Sequence, residues 1–372
     1  MASTESDGGG AYRRDDRPAG QGEVPTYAAI DLGTNNCRIL IARPTGRGFR
    51  VIDAFSRIVR LGEGLRARGL LLEAAMTRTI EALGICASKM RRRGVTRVRG
   101  VATEACRRAA NGDAFIDRVA AETGIRLEVI SNREEARLAF AGCLPLLDGD
   151  ARSALVFDIG GGSTELVWMR RGDDGGHRAA AWTSLPCGVV SLAEEYGGDV
   201  VSRADYEAMT ACVGRRLARF ESDHRIAGEV AAGGVQMLGT SGTVTTMAGV
   251  HLDLPRYDRA RVDGLRLSFA DVKAASERLI DLDFAGRAAI PSVGYERADL
   301  VVAGCAIVEA IHRTWPVDSL RVADRGLREG MLISMIHDDA EGGDDVLPVL
   351  LGECVAGIVD EDGAAPRSSG PH

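Results

Sequence analysis

The sequence predicts a mixed α/β protein made of two related domains, and three observations support this. Residues 27–43 and 154–170 share one pattern: an apolar run, an aspartate, a glycine-containing turn and a second apolar run. This pattern is typical of a strand–turn–strand hairpin, and its recurrence indicates two related units. Strand and helix patterns alternate along the rest of the chain. The 372 residues, 45% of them apolar, suffice for two hydrophobic cores.

In the first half, the hairpin that carries Asp31 is followed by further strand and helix patterns. Apolar or small residues recur at helical spacing over 70–93 and predict an amphipathic helix that ends at Gly94. The other predicted elements are strands at 50–61 and 98–103, a helix around 113–123, a strand at 127–131 and a helix at 133–147.

The second half opens with the hairpin that carries Asp158. Its later predicted elements are a strand at 178–186, a helix at 203–221, a strand and helix around the glycine-rich turn 239–243, helices at 269–281 and 296–314, a strand at 319–323 and a last helix opened by 324–330. We place the domain boundary near 144–150, which gives domain I as 25–146 and domain II as 147–338. We also expect the last helix to return to domain I.

Composition excludes several classes of protein. No run of 18 or more apolar residues occurs, so we expect no membrane span. The net charge of −7 disfavours a nucleic-acid partner. The eight cysteines form no CxxC pair, which favours reduced thiols in a cytoplasmic protein. The polar, glycine-rich residues 1–24 predict a disordered tail without the apolar core of a signal peptide, and 339–372 predict a loose tail.

The basic residues limit which phosphate-binding motif the chain can contain. Lys89 and Lys273 are the only lysines among 46 basic residues, and no Gly-Lys dipeptide exists. A Walker A loop is therefore excluded. The glycine-containing turns after Asp31 and Asp158 offer backbone N–H groups instead, which suit an anion, as does the helix start at Ser241.

Two aspartates in the same context indicate a shared phosphate and metal site. Either Asp31 or Asp158 alone would be read as a turn-capping residue. Mg²⁺ fits the pair because it takes few carboxylates and completes its shell with water and phosphate oxygens. Glu165, on the returning strand, is either a solvated strand residue or a neighbour of the metal.

Two adjacent glutamates are candidates for a general base. Glu134 and Glu135 follow Ser131 and Asn132 in a pattern that also fits a helix capping box. A carboxylate at the mouth of a cleft can instead deprotonate a water. Both readings stay open at this point, as does the orientation of Arg38 towards the cleft or towards solvent.

Six segments in register resemble the exopolyphosphatase/guanosine pentaphosphate phosphohydrolase (Ppx/GppA) family of the actin-like ATPase superfamily. They begin at Asp31, Ala102, Ile130, Asp158, Gly239 and Leu327 and read DLGTNNCR, ATEACRRAAN, ISNREEARL, DIGGGSTEL, GTSGT and LREG. The resemblance implies two actin-like (ribonuclease H-like) domains with mixed sheets that flank a cleft. It also implies removal of the terminal phosphate from polyphosphate, or of the 5′ γ-phosphate from guanosine pentaphosphate. Members of the family often dimerise, so the resemblance also implies a homodimer.

The resemblance also assigns roles to individual residues. It makes Glu135 the base that activates water, and it makes Asp158 and Glu165 ligands of Mg²⁺, with Asp31 as a further candidate ligand. It places the phosphate-binding groups at Gly33, Thr34, Asn35, Asn36, Arg107, Gly160, Gly161, Gly162, Ser163 and Ser241.

Two other classes of function compete with this assignment. An ATP-using relative such as a sugar kinase or chaperone would use the 239–243 turn for a nucleotide, but Glu135 has no evident role in it. A non-catalytic sensor of phosphate or of the alarmone would not need Glu135, Asp158 and Glu165 together. The sequence therefore favours a Mg²⁺-dependent hydrolase.

Overall fold

Two β-sheets with the same strand order organise the molecule. The structure, a computed structural model, describes residues 24–46, 48–173 and 175–340. The elements of the first half are β1 (Tyr27–Leu32), β2 (Asn36–Thr45), β3 (Gly48–Ile58), α1 (Leu65–Arg68), α2 (Glu73–Arg93), β4 (Arg97–Ala102), α3 (Glu104–Arg108), α4 (Gly112–Thr123), β5 (Glu128–Val129), α5 (Asn132–Cys143) and a 3₁₀ turn (Leu144–Leu146). Those of the second half are β6 (Ser153–Ile159), β7 (Thr164–Arg171), β8 (His177–Leu185), α6 (Val189–Tyr196), α7 (Arg203–His224), α8 (Ile226–Ala231), β9 (Val235–Thr240), α9 (Gly242–His251), α10 (Arg259–Val262), β10 (Arg266–Ser268), α11 (Phe269–Ile280), α12 (Phe284–Ala288), a 3₁₀ turn (Tyr295–Arg297), α13 (Val301–Thr314), β11 (Ser319–Ala323) and α14 (Leu327–Ala340).

The strand order confirms the expected actin-like architecture of two related mixed sheets. The first sheet runs β3-β2-β1-β4-β5, with β1, β2 and β3 antiparallel and with β4 and β5 parallel to β1. The second runs β8-β7-β6-β9-β11, again an antiparallel meander followed by parallel strands, and β10 adds an antiparallel edge. The two sheets lie on either side of the boundary at 146/147, which we retain as a proposal.

Two helices, α5 and α14, cross between the sheets. From α14, Leu327, Met331 and Leu332 pack with Leu138 of α5 against the first sheet. The other face of α5 packs on the second sheet in a cluster that includes Phe140. The last helix thus returns to the first sheet, and α5 touches both cores.

The crossing of α5 and α14 requires glycine at its closest points. A Cβ on Gly330 would lie 1.9 Å from the Leu138 carbonyl oxygen, and one on Gly142 would lie 2.2 Å from the Gly326 carbonyl oxygen. Backbone atoms cannot give way as a flexible side chain does, so these glycines set the distance between the helices.

We expect Gly330→Ala to lower the free energy of unfolding by about 2 kcal/mol or more, because the added methyl overpacks the crossing. Gly214→Ala is the matched control, since Gly214 lies within a helix and its Cβ would meet nothing within 4 Å. The control should be neutral or stabilising by up to ~1 kcal/mol through helix propensity. Urea unfolding of both variants tests this, and equal stability of the two would contradict the packing argument.

The structure differs from the sequence prediction at element ends and by several short elements that the sequence did not predict. The helix predicted at 133–147 ends at Cys143 and continues as a 3₁₀ turn, and the strand predicted at 127–131 keeps two residues. Asp339, placed in the loose tail, belongs to α14, where it accepts a hydrogen bond from Tyr27 Oη at 2.8 Å. Otherwise the predicted tails lie outside the described residues, apart from residues 24 and 340. No helix in the described ranges is long and apolar enough to span a membrane.

Candidate active site

The two aspartate hairpins face one cavity between the sheets. In the first hairpin Asp31 lies directly opposite Arg38, and in the second Asp158 lies directly opposite Glu165. A cavity of about 120 Å³ is lined by groups from both halves of the chain. Its polar and glycine lining includes Asp31, Gly33, Thr34, Asn35, Asn36, Arg38, Thr103, Glu104, Glu135, Asp158, Gly160, Gly161, Gly162, Ser163, Ser241, Gly242, Thr243, Thr246 and Arg297.

The two glycine-containing turns touch across this cavity. A Cβ on Gly161 would lie 2.9 Å from Thr34 Cβ, and one on Gly162 would lie 2.9 Å from Glu104 Cγ. Only glycine permits this approach, which brings the backbone N–H groups of both turns to the same space.

Buried carboxylates crowd the cavity. Burial, together with the charge of Asp31, raises the pKa of Asp158 to about 6, although Arg38 opposes the shift. Burial and the charge of Asp158 raise the pKa of Glu165 to about 7. Burial likewise raises the pKa of Asp31. Such mutual repulsion in a buried site is relieved by a bound cation.

The side chains of the two adjacent glutamates lie in different surroundings. Ser131 caps α5 by accepting a hydrogen bond from the Glu134 N–H, whereas the Glu134 side chain pairs with Arg99 at 3.0 Å and with Arg137 at 2.6 Å. The Glu135 side chain lines the cavity. Burial and the charge of Glu165 raise its pKa well above the usual range, and Arg107 partly opposes this.

Two predicted site residues, Arg107 and Glu165, stand behind the lining. Arg107 Nη2 donates to Glu104 Oε2 at 2.8 Å and to Glu135 Oε2 at 3.2 Å. Glu165 is 4% exposed and accepts a hydrogen bond from Ser184 Oγ at 2.8 Å. In this geometry Arg107 is engaged with carboxylates, so its contact with phosphate stays a prediction.

Three arginines near the cavity were not among the predicted site residues. Arg38 and Arg297 line it, and Arg328 is near enough to help lower the pKa of Arg38, which burial lowers most. Within the described ranges none of the three forms a salt bridge. Nearby, Ser241 is the N-cap of α9, and its φ of 99° is rare for a residue with a side chain. Arg297 donates one hydrogen bond, to Thr246 Oγ1 at 3.4 Å. The N–H groups at the start of α9 and these guanidinium groups, whose charge no described carboxylate pairs, suit phosphate oxygens.

The donor set fits Mg²⁺ better than a metal enclosed by protein ligands. In the part of the chain that the structure describes, no three His, Cys, Asp or Glu side chains form a group able to hold a metal ion. Mg²⁺ needs only one or two carboxylates and keeps several waters. The side-chain oxygens of Asn35 and Asn36 are buried and accept no hydrogen bond from described residues, so they can accept from metal-bound waters.

The fold and the site define the class: a two-domain α/β protein of actin-like architecture, with a cleft suited to phosphate. Residues 40–339 match the sequence profile of the Ppx/GppA phosphatase family, and the chain belongs to that family. It is therefore a phosphatase, an enzyme of the hydrolase class.

Individual relatives agree with this assignment. The chain is 32% identical to "Exopolyphosphatase 2" of Mycobacterium tuberculosis over 322 residues, 83% of this chain and 98% of the relative. A crystal structure of the Aquifex aeolicus family member has a TM-score of 0.70 at 29% identity and covers 85% of this chain and 98% of its own. The structure of an exopolyphosphatase from Cytophaga hutchinsonii has a TM-score of 0.76 at 25% identity and covers 84% and 98%.

Proposed function

We propose that this protein is a Mg²⁺-dependent exopolyphosphatase that releases the terminal orthophosphate of inorganic polyphosphate. The observation that carries the proposal is the convergence of Glu135, Asp31 and Asp158 with two glycine-containing turns on one cavity. The 32% identical relative named as an exopolyphosphatase supports polyphosphate as the substrate.

In the proposed reaction Glu135 removes a proton from the attacking water. The water oxygen forms a bond to the terminal phosphorus, and the bond from that phosphorus to the bridging oxygen breaks. The bridging oxygen keeps the electron pair and leaves as the end of the shortened chain. Phosphoryl transfer needs positioning and charge neutralisation rather than a nucleophilic side chain.

The residues around Glu135 supply that positioning in our proposal. The Gly33 and Gly160 N–H groups close their own turns by donating to the Asn36 and Ser163 carbonyl oxygens. The backbone N–H groups of residues 34–36 and 161–163, with those at Ser241, hold the phosphate oxygens. Arg38 and Arg297 neutralise part of the charge. Asp158 and Glu165, with Asp31 beside them, hold Mg²⁺, which supplies charge stabilisation on the transferring group when bound.

The direct test is orthophosphate release by the purified full chain. We expect release from polyphosphate with Mg²⁺ and loss of release with EDTA. ATP and guanosine pentaphosphate serve as competing substrates in the same assay. Release from ATP alone would favour the kinase-like class, and release from none would favour a phosphate or alarmone sensor.

A second cavity supports guanosine pentaphosphate as the alternative substrate. It has a volume of about 450 Å³ and shares Asn35 and Leu300 with the catalytic cavity. Four carboxylates line it, those of Glu63, Glu194, Asp199 and Asp299. Two of them are paired, Asp299 with Arg60 at 2.7 Å and Glu63 with Arg78 at 3.0 Å. This lining repels a polyphosphate chain, and it can accept hydrogen bonds from the N–H edge of a guanine base.

The assay above separates the two substrates. If the second cavity holds a guanine, Asp199→Asn should raise KM for guanosine pentaphosphate and leave KM for polyphosphate unchanged. Equal effects on both substrates would remove the argument for the alternative. A cytoplasmic location, a homodimer and the absence of a nucleic-acid partner stay predictions.

A further inference from the structure

Glu104 places an additional carboxylate at the candidate active site. It opens α3, is 7% exposed and lines the catalytic cavity beside Gly162 of the second glycine-containing turn. A carboxylate at this position repels the phosphate groups of a substrate. Its charge must therefore be balanced by neighbouring cations.

Two arginines balance the charge of Glu104. Arg108 Nη1 lies 3.5 Å from Glu104 Oε1 on the exposed side, and Arg107, the closer of the two, is shared by Glu104 and Glu135. Nη2 of Arg107 donates at 2.8 Å to Glu104 Oε2 and at 3.2 Å to Glu135 Oε2. Nη1 donates to the carbonyl oxygen of Ile130, which lies just before the N-cap of α5. The guanidinium is thus fixed from three directions, and it ties α3 to the start of the helix that carries Glu135.

This sharing leaves one oxygen of Glu135 available. An isolated arginine and carboxylate commonly form a two-point fork in which both carboxylate oxygens accept a hydrogen bond. Here the contact uses Oε2 alone, and Oε1 of Glu135 receives no hydrogen bond from the described residues. The contacts of Nη2 with Glu104 and of Nη1 with the Ile130 carbonyl oxygen keep Arg107 out of this fork.

We propose that Glu104 is a positioning residue that holds Arg107 in a one-point contact with Glu135 and so leaves Oε1 of Glu135 open to the attacking water. The inference rests on the proposed function, since it assumes that Glu135 is the base. Glu104 itself touches no reacting atom. Its effect passes through Arg107.

In steady-state kinetics, this role predicts a lower kcat without an increase in KM. In Glu104→Ala, Nη2 of Arg107 loses its shorter contact while Nη1 stays on the Ile130 carbonyl oxygen. Arg107 can then present Nη2 and Nε to both oxygens of Glu135, and kcat on polyphosphate should fall about 10- to 100-fold, the cost of a misplaced catalytic group. KM should stay equal or fall, because a charge that repels the substrate is gone. Glu104→Gln should keep more of the activity, since its amide oxygen can still accept from Arg107.

A double-mutant cycle with Arg107→Ala tests the route of the effect. If Glu104 acts through Arg107, Glu104→Ala should lower kcat less than twofold further in the Arg107→Ala background. The matched control is Glu122→Ala, which removes an exposed ion pair with Arg118 in the same half of the chain. It should leave kcat and KM unchanged. Thermal unfolding of each variant monitors folding.

The possible outcomes separate this inference from the proposed function. Losses that add in the double variant, or a raised KM with unchanged kcat in Glu104→Ala, would overturn the positioning role while the hydrolase assignment stands. An inactive wild-type protein would refute the proposed function, and the inference with it.

Discussion

Glu135→Gln is expected to lower kcat for polyphosphate hydrolysis by about 10²–10⁴-fold, the contribution typical of a general base. Glutamine keeps the shape of the side chain but cannot take a proton from water. Because burial already penalises the ionised carboxylate, the neutral amide should not destabilise the fold. Substrate binding should therefore be largely retained, and an orthophosphate-release assay with saturating substrate measures the loss.

The neighbouring glutamate provides the control for this result. Glu134→Gln alters the same helix one residue away, in a side chain that pairs with Arg99 and Arg137 outside the cavity. We expect its kcat to stay within a few-fold of the wild-type value. If Glu135→Gln kept full activity and Glu134→Gln lost it, the base would be Glu134.

The contrast between these glutamates shows where sequence reasoning reaches its limit. Both residues fit the capping pattern and both fit a base, because adjacent helical residues differ only by about 100° in direction. Which direction faces the cleft depends on how α5 packs between two sheets, and residues from 27 to 335 take part in that packing. The local sequence around Glu134 and Glu135 does not determine this packing.

The hairpins were predictable because their information is local. An aspartate at a strand end, a glycine-containing turn and a returning apolar run fix both chain reversals, and the structure has β1–β2 and β6–β7 there. Short elements such as α1, α10 and α12 were missed because four or five residues show no measurable period.

Residues that reach the site only through tertiary contacts were also not predicted. Arg297 lies in a 3₁₀ turn far along the chain from the hairpins, yet it lines the same cavity. Arg38 was visible in the first hairpin, but its strand alternates towards two faces and the buried face was not evident. The sharing of Arg107 by Glu104 and Glu135 likewise depends on tertiary contacts between α3 and α5.

Asp158→Asn is the second substitution with a large expected effect, and it should act in opposite directions on activity and on stability. We expect Mg²⁺-dependent turnover to be lost, because the proposed site loses a carboxylate that faces the cavity. In metal-free protein at pH 7 we expect the free energy of unfolding to rise by on the order of 2 kcal/mol, because a buried charge among other carboxylates is removed.

The pH dependence of this gain follows from the direction of the pKa shift. Asp158 has a pKa of about 6 in the folded protein against a usual value of 3.8, so the folded state holds its proton more tightly than the unfolded chain. The stabilisation by that proton is complete below pH 3.8 and is lost as the pH rises through about 6. The stability difference between Asp158→Asn and wild type should therefore be small near pH 4 and reach its full size by pH 7.

Mg²⁺ should cancel the difference if Asp158 belongs to its site. A cation that binds the folded wild-type protein stabilises it by mass action, whereas the variant should gain little. Urea unfolding at pH 4 and pH 7, each with EDTA and with Mg²⁺, separates the contributions of the proton and the metal. A gain in stability that is independent of pH would contradict the raised pKa of Asp158. An equal response of both proteins to Mg²⁺ would show that Asp158 is not a ligand of the metal. The site would then owe its affinity for phosphate to the arginines and the backbone N–H groups alone.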